Sequence, residues 1–260
     1  METATYQIEA QLERRHWWFQ GRRRILDRLL ARLDPPLPPG ARALDVGCGT
    51  GANGPVLAAR AAFALGIDAS PVPLGLGERT HSARLRGDAT ALPLPDASFD
   101  LVVALDVLEH LDDDAAGARE IARVLRPGGA ALIFVPALRL LWGLQDDVSH
   151  HRRRYGKPEL RAVVSAAGLQ IRRLTFFNSF LFPPILAARL MMRVLPPRNL
   201  QSENQVGGPV TNAVLGAIFG AEAPLLDRVD LPIGVSLACV ARQPGRERSE
   251  RNPAVSTTVL

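Results

Sequence analysis

The chain predicts an α/β fold in which a parallel sheet is covered by helices on both faces. Two observations carry that expectation. Short apolar runs recur at Ala43-Leu44, Phe63–Ile67, Phe99–Ala104 and Ala130–Val135, each leading into a turn and a helical stretch. A strand buried on both faces reads as an unbroken apolar run, whereas a half-exposed strand alternates. Second, Asp45, Asp68, Asp88 and Leu105 fall at the carboxyl ends of successive predicted strands. Ligands of open α/β sheets bind beyond those ends, so one crevice can collect all four.

Composition sets bounds on function. At 260 residues with 47% hydrophobic content, the chain can bury one substantial core. Its net charge of +5 rests almost wholly on arginine, which favours anionic partners such as phospholipid headgroups. Cys48 and Cys239 make neither a disulfide framework nor a zinc-ligand spacing, so no metal is expected. With no signal-peptide pattern at the polar amino terminus, a reduced cytoplasmic protein is the expectation.

Residues 1–39 predict a helical cap and linker. Residues 5–33 read as helical, with Gly21 breaking the run before an apolar stripe at Ile25, Leu26, Leu29, Leu30 and Leu33. The adjacent aromatics Trp17, Trp18 and Phe19 cannot all face one core. At least one, with Trp18 as the candidate, belongs over a ligand or at a membrane interface. The proline-rich stretch from Asp34 to Gly40 then ends the helix.

Glycine falls on every second position at Gly47, Gly49 and Gly51. Such a turn lets a ligand approach the main chain, and the helix that follows presents free N–H groups. A P-loop is excluded because the only lysine is Lys157. A dinucleotide is disfavoured because Asp45 would repel a pyrophosphate; a ligand with a cationic end fits better. Asp68, about 20 residues on, suits a ribose diol.

The segment Asp106–Glu120 reads as helical, and Leu169–Phe177 and Pro232–Arg242 as the sixth and seventh strands. Residues 40–244 form the predicted main domain. Asp146–Tyr155 packs acids, histidines, arginines and a tyrosine just after the fifth strand, an attractive place for acceptor binding by Arg153 and Tyr155. An insertion at 178–231 holds two apolar tracts, neither a membrane span: Pro183, Pro184, Arg189 and Arg193 interrupt one and Glu222 the other. Arg189 and Arg193 define a basic face opposite Leu186, Leu190 and Val194, suited to a lid over a greasy acceptor or to anionic lipid. Residues 245–260 are polar and expected to be disordered.

Taken together, Leu44–Gly51, Gly66–Asp68, Gly87–Ala89, Leu92–Val102, Val107–His110 and Leu125–Gly129 resemble the class I S-adenosylmethionine-dependent methyltransferases, in the small-molecule branch similar to ubiquinone and menaquinone methyltransferases. His16–Phe19 with Gly21-Arg22-Arg23 resembles a subgroup associated with bacterial polysaccharide or lipid-linked glycan pathways. The resemblance implies a Rossmann-like sheet of seven strands, mostly parallel, and S-adenosylmethionine as cofactor. It implies that Gly47, Gly49 and Gly51 pack on the methionyl part, with Asp45 near its ammonium. Asp68 would hold the ribose, Asp88 and Ala89 the adenine, and Leu105 would pass the methionyl group. Arg22, or alternatively Arg23, would take the cofactor carboxylate. For a hydroxyl acceptor the candidate bases are His110, His150 and His151. The expected acceptor is a small or lipid-linked molecule methylated on oxygen, at the cytoplasmic side with peripheral contact to the inner face of the membrane and no nucleic-acid partner. A non-catalytic cofactor-binding subunit and a nicotinamide-dependent oxidoreductase are the alternatives.

Overall fold

The computed structural model describes residues 12–13, 15–76, 80–195 and 208–245. The start of the predicted cap, Arg14 and nearly all of the predicted disordered tail lie outside these residues. Seven strands form one sheet: β1 (Arg42–Val46), β2 (Phe63–Asp68), β3 (Ala83–Arg86), β4 (Phe99–Leu105), β5 (Leu125–Pro136), β6 (Gln170–Phe177) and β7 (Ser236–Arg242). Their order is β3-β2-β1-β4-β5-β7-β6. The first five are parallel, and β7 runs antiparallel to both of its neighbours. Every residue of β4 and β7 is buried, which is why these strands are apolar on both faces. The chain leaves β1 toward β2 on one side and returns to β4 on the other. A crevice therefore opens between β1 and β4 at their carboxyl ends.

Helix α1 (Trp17–Ala31) crosses this end of the sheet and does not break at Gly21. A Cβ on Gly21 would stand 2.1 Å from the ring of Phe219, so the glycine marks a close helix crossing. The remaining helices are α2 (Gly54–Ala58), α3 (Pro71–Leu76), α4 (Asp114–Val124), α5 (Leu144–Val148), α6 (Lys157–Ala166), α7 (Phe182–Val194) and α8 (Pro209–Glu222). The segment expected to be helical from Asp106 is instead a short 3-10 turn, Leu108–His110, and α4 begins only at Asp114. Asp113 caps α4 by accepting from the Ala116 amide, and that cap fixes where the helix can start.

Helices α7 and α8 lie between β6 and β7. Phe219 of α8 stacks on Phe177 of β6 at 6.3 Å and meets Trp17 edge-on at 5.9 Å. Glu222 is fully buried and accepts from the Ser179 and Phe180 amides at 2.6 and 3.2 Å. Asn212 accepts from the Trp17 amide and donates to the Arg15 carbonyl, both at 2.7 Å. The insertion is thereby pinned to the sheet and to α1.

Arg189 and Arg193 do not form the expected free basic face. Arg189 is buried against Asp146, and Arg193 donates to the Leu140 and Trp142 carbonyls. A fully buried carboxylate draws the arginine inward, and the apolar face of α7 is the one left outside.

Candidate functional site

A cavity of about 730 Å³ opens at the crevice between β1 and β4. Its floor is made by the strand ends Val46-Gly47, Ile67-Asp68 and Leu105-Asp106, together with Gly87–Ala89. Glu13, Trp18 and Arg22 form one wall, and His110, Ser149 and His151 another. Leu181, Ile185, Met192 and Leu215 from the insertion close the top.

The glycine turn has the backbone its composition suggests. Gly47, Gly49 and Gly51 have φ of 67°, 53° and 93°, which side chains other than hydrogen rarely adopt. A Cβ on Gly47 would stand 2.5 Å from Val107 Cγ2. At Gly49 the nearest atom to such a Cβ is Glu13 Oε1 at 3.8 Å, so the chain there is open to a ligand. Gly51 lies behind the wall and donates its amide to the Cys48 carbonyl.

The three expected aspartates separate. Asp68 and Asp88 line the cavity, whereas Asp45 does not. Asp45 is fully buried and meets His81 Nε2 at 3.0 Å. Strand alternation decides this: Val46 faces the cavity, so its neighbour points away. Asp68 Oδ2 accepts from the Gly49 amide and Oδ1 from the Ser70 amide, both at 2.9 Å, which ties the acid to the glycine turn. Burial raises the Asp68 carboxyl above its ordinary value. Asp88 Oδ1 accepts from the Thr90 amide and hydroxyl at 2.8 Å, bonds that hold its carboxyl below the usual range.

Arg22 lines the cavity, packs 4.8 Å over the Trp18 ring and pairs with Asp106. Burial pushes its guanidinium down to about 10. Asp106 and Glu13 are site residues that sequence reasoning missed. Asp106 has φ of 57° because the chain turns sharply there, in a stretch that reads as helix. Glu13 accepts from the Thr50 hydroxyl, and burial raises its carboxyl.

Of the three histidines, His110 and His151 line the cavity and meet edge to face at 4.8 Å. Burial, then His151, pushes His110 down to about 3. His150 is exposed with φ of 56°, on the other side of the turn, and is corrected as a candidate base. Fully buried Asp146 orders this region: Oδ1 meets His151 Nδ1 at 2.8 Å and Arg154 Nε at 2.7 Å, while Oδ2 meets Arg189 at 3.1 Å. Burial alone would raise Asp146, but His151 and Arg154 outweigh it and hold the carboxyl well below the usual range.

Arg153 and Tyr155 do not reach the cavity. Arg153 grips the Leu111 and Asp112 carbonyls and Asp114, and the Tyr155 hydroxyl donates to Asp114 at 2.7 Å. Their place in the wall is taken by Arg154.

Residues 44–133 match the family described as a methyltransferase domain. This part of the chain is a methyltransferase domain. The match covers the glycine turn, Asp68, Asp88 and Asp106, and stops within β5. A probable S-adenosylmethionine-dependent methyltransferase of Mycolicibacterium smegmatis is 32% identical over 62% of each chain. The ubiquinone biosynthesis O-methyltransferase of Aeromonas salmonicida is 30% identical over 52% of this chain and 66% of its own length. A demethylmenaquinone methyltransferase of Mycobacterium sp. strain KMS is 40% identical over 36% of this chain and 41% of its own. The chain spans 62%, 40% and 41% of the length of the first three curated relatives it matches. Among solved structures, the [4+2]-cyclase SpnF superposes with a TM-score of 0.56 at 26% identity, covering 85% of this chain and 80% of its own. Phosphoethanolamine N-methyltransferase 2 of Haemonchus contortus, solved with S-adenosyl-L-methionine, shares the fold at a TM-score of 0.55 and 18% identity, over 84% of this chain and 52% of its own.

The residues present fit S-adenosylmethionine. An open glycine turn, two acids at neighbouring strand ends and a buried arginine match a ligand carrying an ammonium, a diol and a carboxylate.

Proposed function

We propose that the chain is an S-adenosylmethionine-dependent methyltransferase that methylates an oxygen of a small or lipid-linked acceptor. The observation that carries the reading is the junction of a polar floor, built on Gly49, Asp68 and Asp88, with an apolar roof built on the insertion. S-adenosylmethionine, when bound, supplies an electrophilic methyl group on sulfur. Arg22 takes the cofactor carboxylate, and Asp68 accepts hydrogen bonds from the ribose hydroxyls through the lone pairs its backbone donors leave over. Asp88 and Ala89 hold the adenine end. Leu181, Ile185, Met192 and Leu215 exclude water from the acceptor, and much of the rate comes from alignment in this dry space.

His151 is the base we favour. Asp146 holds Nδ1, so Nε2 is the nitrogen that accepts the hydroxyl proton, and the carboxylate stabilises the imidazolium that forms. The relatives named for ubiquinone and menaquinone synthesis support a quinol-like or lipid-linked acceptor. We place the chain on the cytoplasmic side, with the outer faces of α7 and α8 against the membrane. In support, Leu190, Val194, Val210 and Val214 are 43%, 79%, 77% and 53% exposed.

Calorimetry with S-adenosylmethionine, its demethylated product and NAD, followed by labelled-methyl transfer to a lipid extract, tests the proposal. Micromolar binding of the first two and label in an extractable lipid are expected. Binding of NAD alone, or binding with no label transferred to any extract, overturns it. His151→Ala should lower turnover by about 10²- to 10⁴-fold, the usual weight of a general base, while His150→Ala leaves it unchanged.

A further inference from the structure

We propose that Glu109, His110 and His151 bind a divalent transition-metal ion in the wall of the cavity. A carboxylate oxygen and one nitrogen from each imidazole lie within 4.8 Å of one another. Glu109 is fully buried, and outside its own backbone amide its carboxylate oxygens have no hydrogen-bond partner. A buried carboxylate with no other partner is costly, and such a group in a folded protein calls for an explanation.

The two imidazoles already carry the outer partners that metal-bound histidines carry, a carboxylate or a backbone group on the far nitrogen. Asp146 occupies Nδ1 of His151 at 2.8 Å, which leaves Nε2 to offer. The Ser149 backbone takes one nitrogen of His110 and leaves the other. The Arg152 amide donates to the Glu109 carbonyl at 2.7 Å, fixing the segment of His151 against the turn of Glu109 and His110.

Two imidazoles with one carboxylate suit zinc, manganese, iron or cobalt better than magnesium or calcium, which prefer all-oxygen sites. Arg154 shares Asp146 Oδ1 with His151 and, like Arg22, acts electrostatically on Glu109, so these cations moderate the affinity and micromolar binding is expected. His110 and His151 line the cavity, so the ion would face an acceptor oxygen and act on it as a Lewis acid; with the ion bound, His151 Nε2 is a ligand, and lowering the acceptor's pKa would replace proton transfer to that nitrogen. That role rests on the methyl-transfer reading; the binding does not.

The test is titration of the untagged, chelator-treated chain with Co²⁺, read by visible absorption and by calorimetry. One ion per chain at micromolar affinity is expected. His110→Ala and His151→Ala should each weaken it by at least about 10- to 100-fold, since loss of an outer partner alone costs that much. Glu109→Gln should weaken it as well, with circular dichroism and cofactor affinity reporting on the fold. His150→Ala, which alters an exposed neighbour, should bind as the wild type does. Absence of a saturable site in the wild type, or equal weakening by His150→Ala and His151→Ala, overturns the proposal. Loss of S-adenosylmethionine binding in an otherwise folded chain that keeps its Co²⁺ site would remove the methyl-transfer reading and leave the ion.

Discussion

Asp68 and Asp45 are both expected at the cofactor, one on the ribose and one near the ammonium, and only Asp68 lines the cavity. Asp68 lines the cavity and also holds the Gly49 amide, so Asp68→Ala removes a charged acceptor and loosens the turn beneath the cofactor. Calorimetry should show S-adenosylmethionine bound more weakly by about 1.5–3 kcal/mol, the worth of hydrogen bonds to a charged group. Asp45→Ala strands the buried His81 instead. It should lower unfolding stability by about 1–3 kcal/mol and leave cofactor affinity in the folded fraction nearly unchanged. A large loss of affinity with no loss of stability would return Asp45 to the site. Residue type and spacing pointed to Asp68, and the family resemblance to Asp88 and Arg22; all three line the cavity. The place of Asp45 was not legible, because the face of a strand on which a residue sits follows from register. His151 was separable from His150 only once the left-handed turn and Asp146 were seen.

The elements were legible where local sequence decides them and obscure where distant contacts do. Continuous apolar runs marked the central strands. Gly21 reads as a break from sequence alone, because helix propensity disfavours glycine, yet it serves the crossing of α1 over α8. Gly21→Ala should cost about 1–3 kcal/mol through overpacking against Phe219, measured by urea unfolding; an unchanged midpoint would mean that the two helices do not touch there. Glu222 gives the same junction a pH dependence. Burial raises its carboxyl above the ordinary 4.5, so between that value and its folded value the native state binds more protons than the unfolded one. Its contribution is therefore greatest at low pH and declines as pH rises through the window. Glu222→Gln, which keeps the acceptor without the charge, should lose less stability than the wild type from pH 4.5 upward. Parallel unfolding curves for the two proteins across that range would contradict the assignment.

At the scale of the whole molecule, the insertion joins the cavity to the outside. Pro209–Asp227 has the length and apolar composition of a membrane span, but α8 itself ends at Glu222, and a short 3-10 turn, Leu225–Asp227, follows it. Phe219, Glu222 and Leu226 are nevertheless buried in the fold, which leaves the helix one free face and not a whole surface. On that face α8 carries no charged residue from Pro209 to Ala221, and α7 adds Leu190 and Val194. The inner sides of the same helices, at Ile185, Met192 and Leu215, line the cavity. A lipid-linked acceptor could pass from a bilayer to the cofactor along one apolar surface, and an arginine-rich chain of net charge +5 would be drawn to an anionic bilayer. Val194→Glu combined with Val214→Glu sets charge on the outer face without touching the cavity lining. The pair should abolish sedimentation with vesicles rich in anionic phospholipid while leaving thermal stability and S-adenosylmethionine affinity at wild-type values. Loss of methyl transfer to a vesicle-borne acceptor, with transfer retained to a soluble short-chain analogue, would tie the surface to substrate delivery. Unchanged sedimentation by the double variant would assign the exposed face another partner.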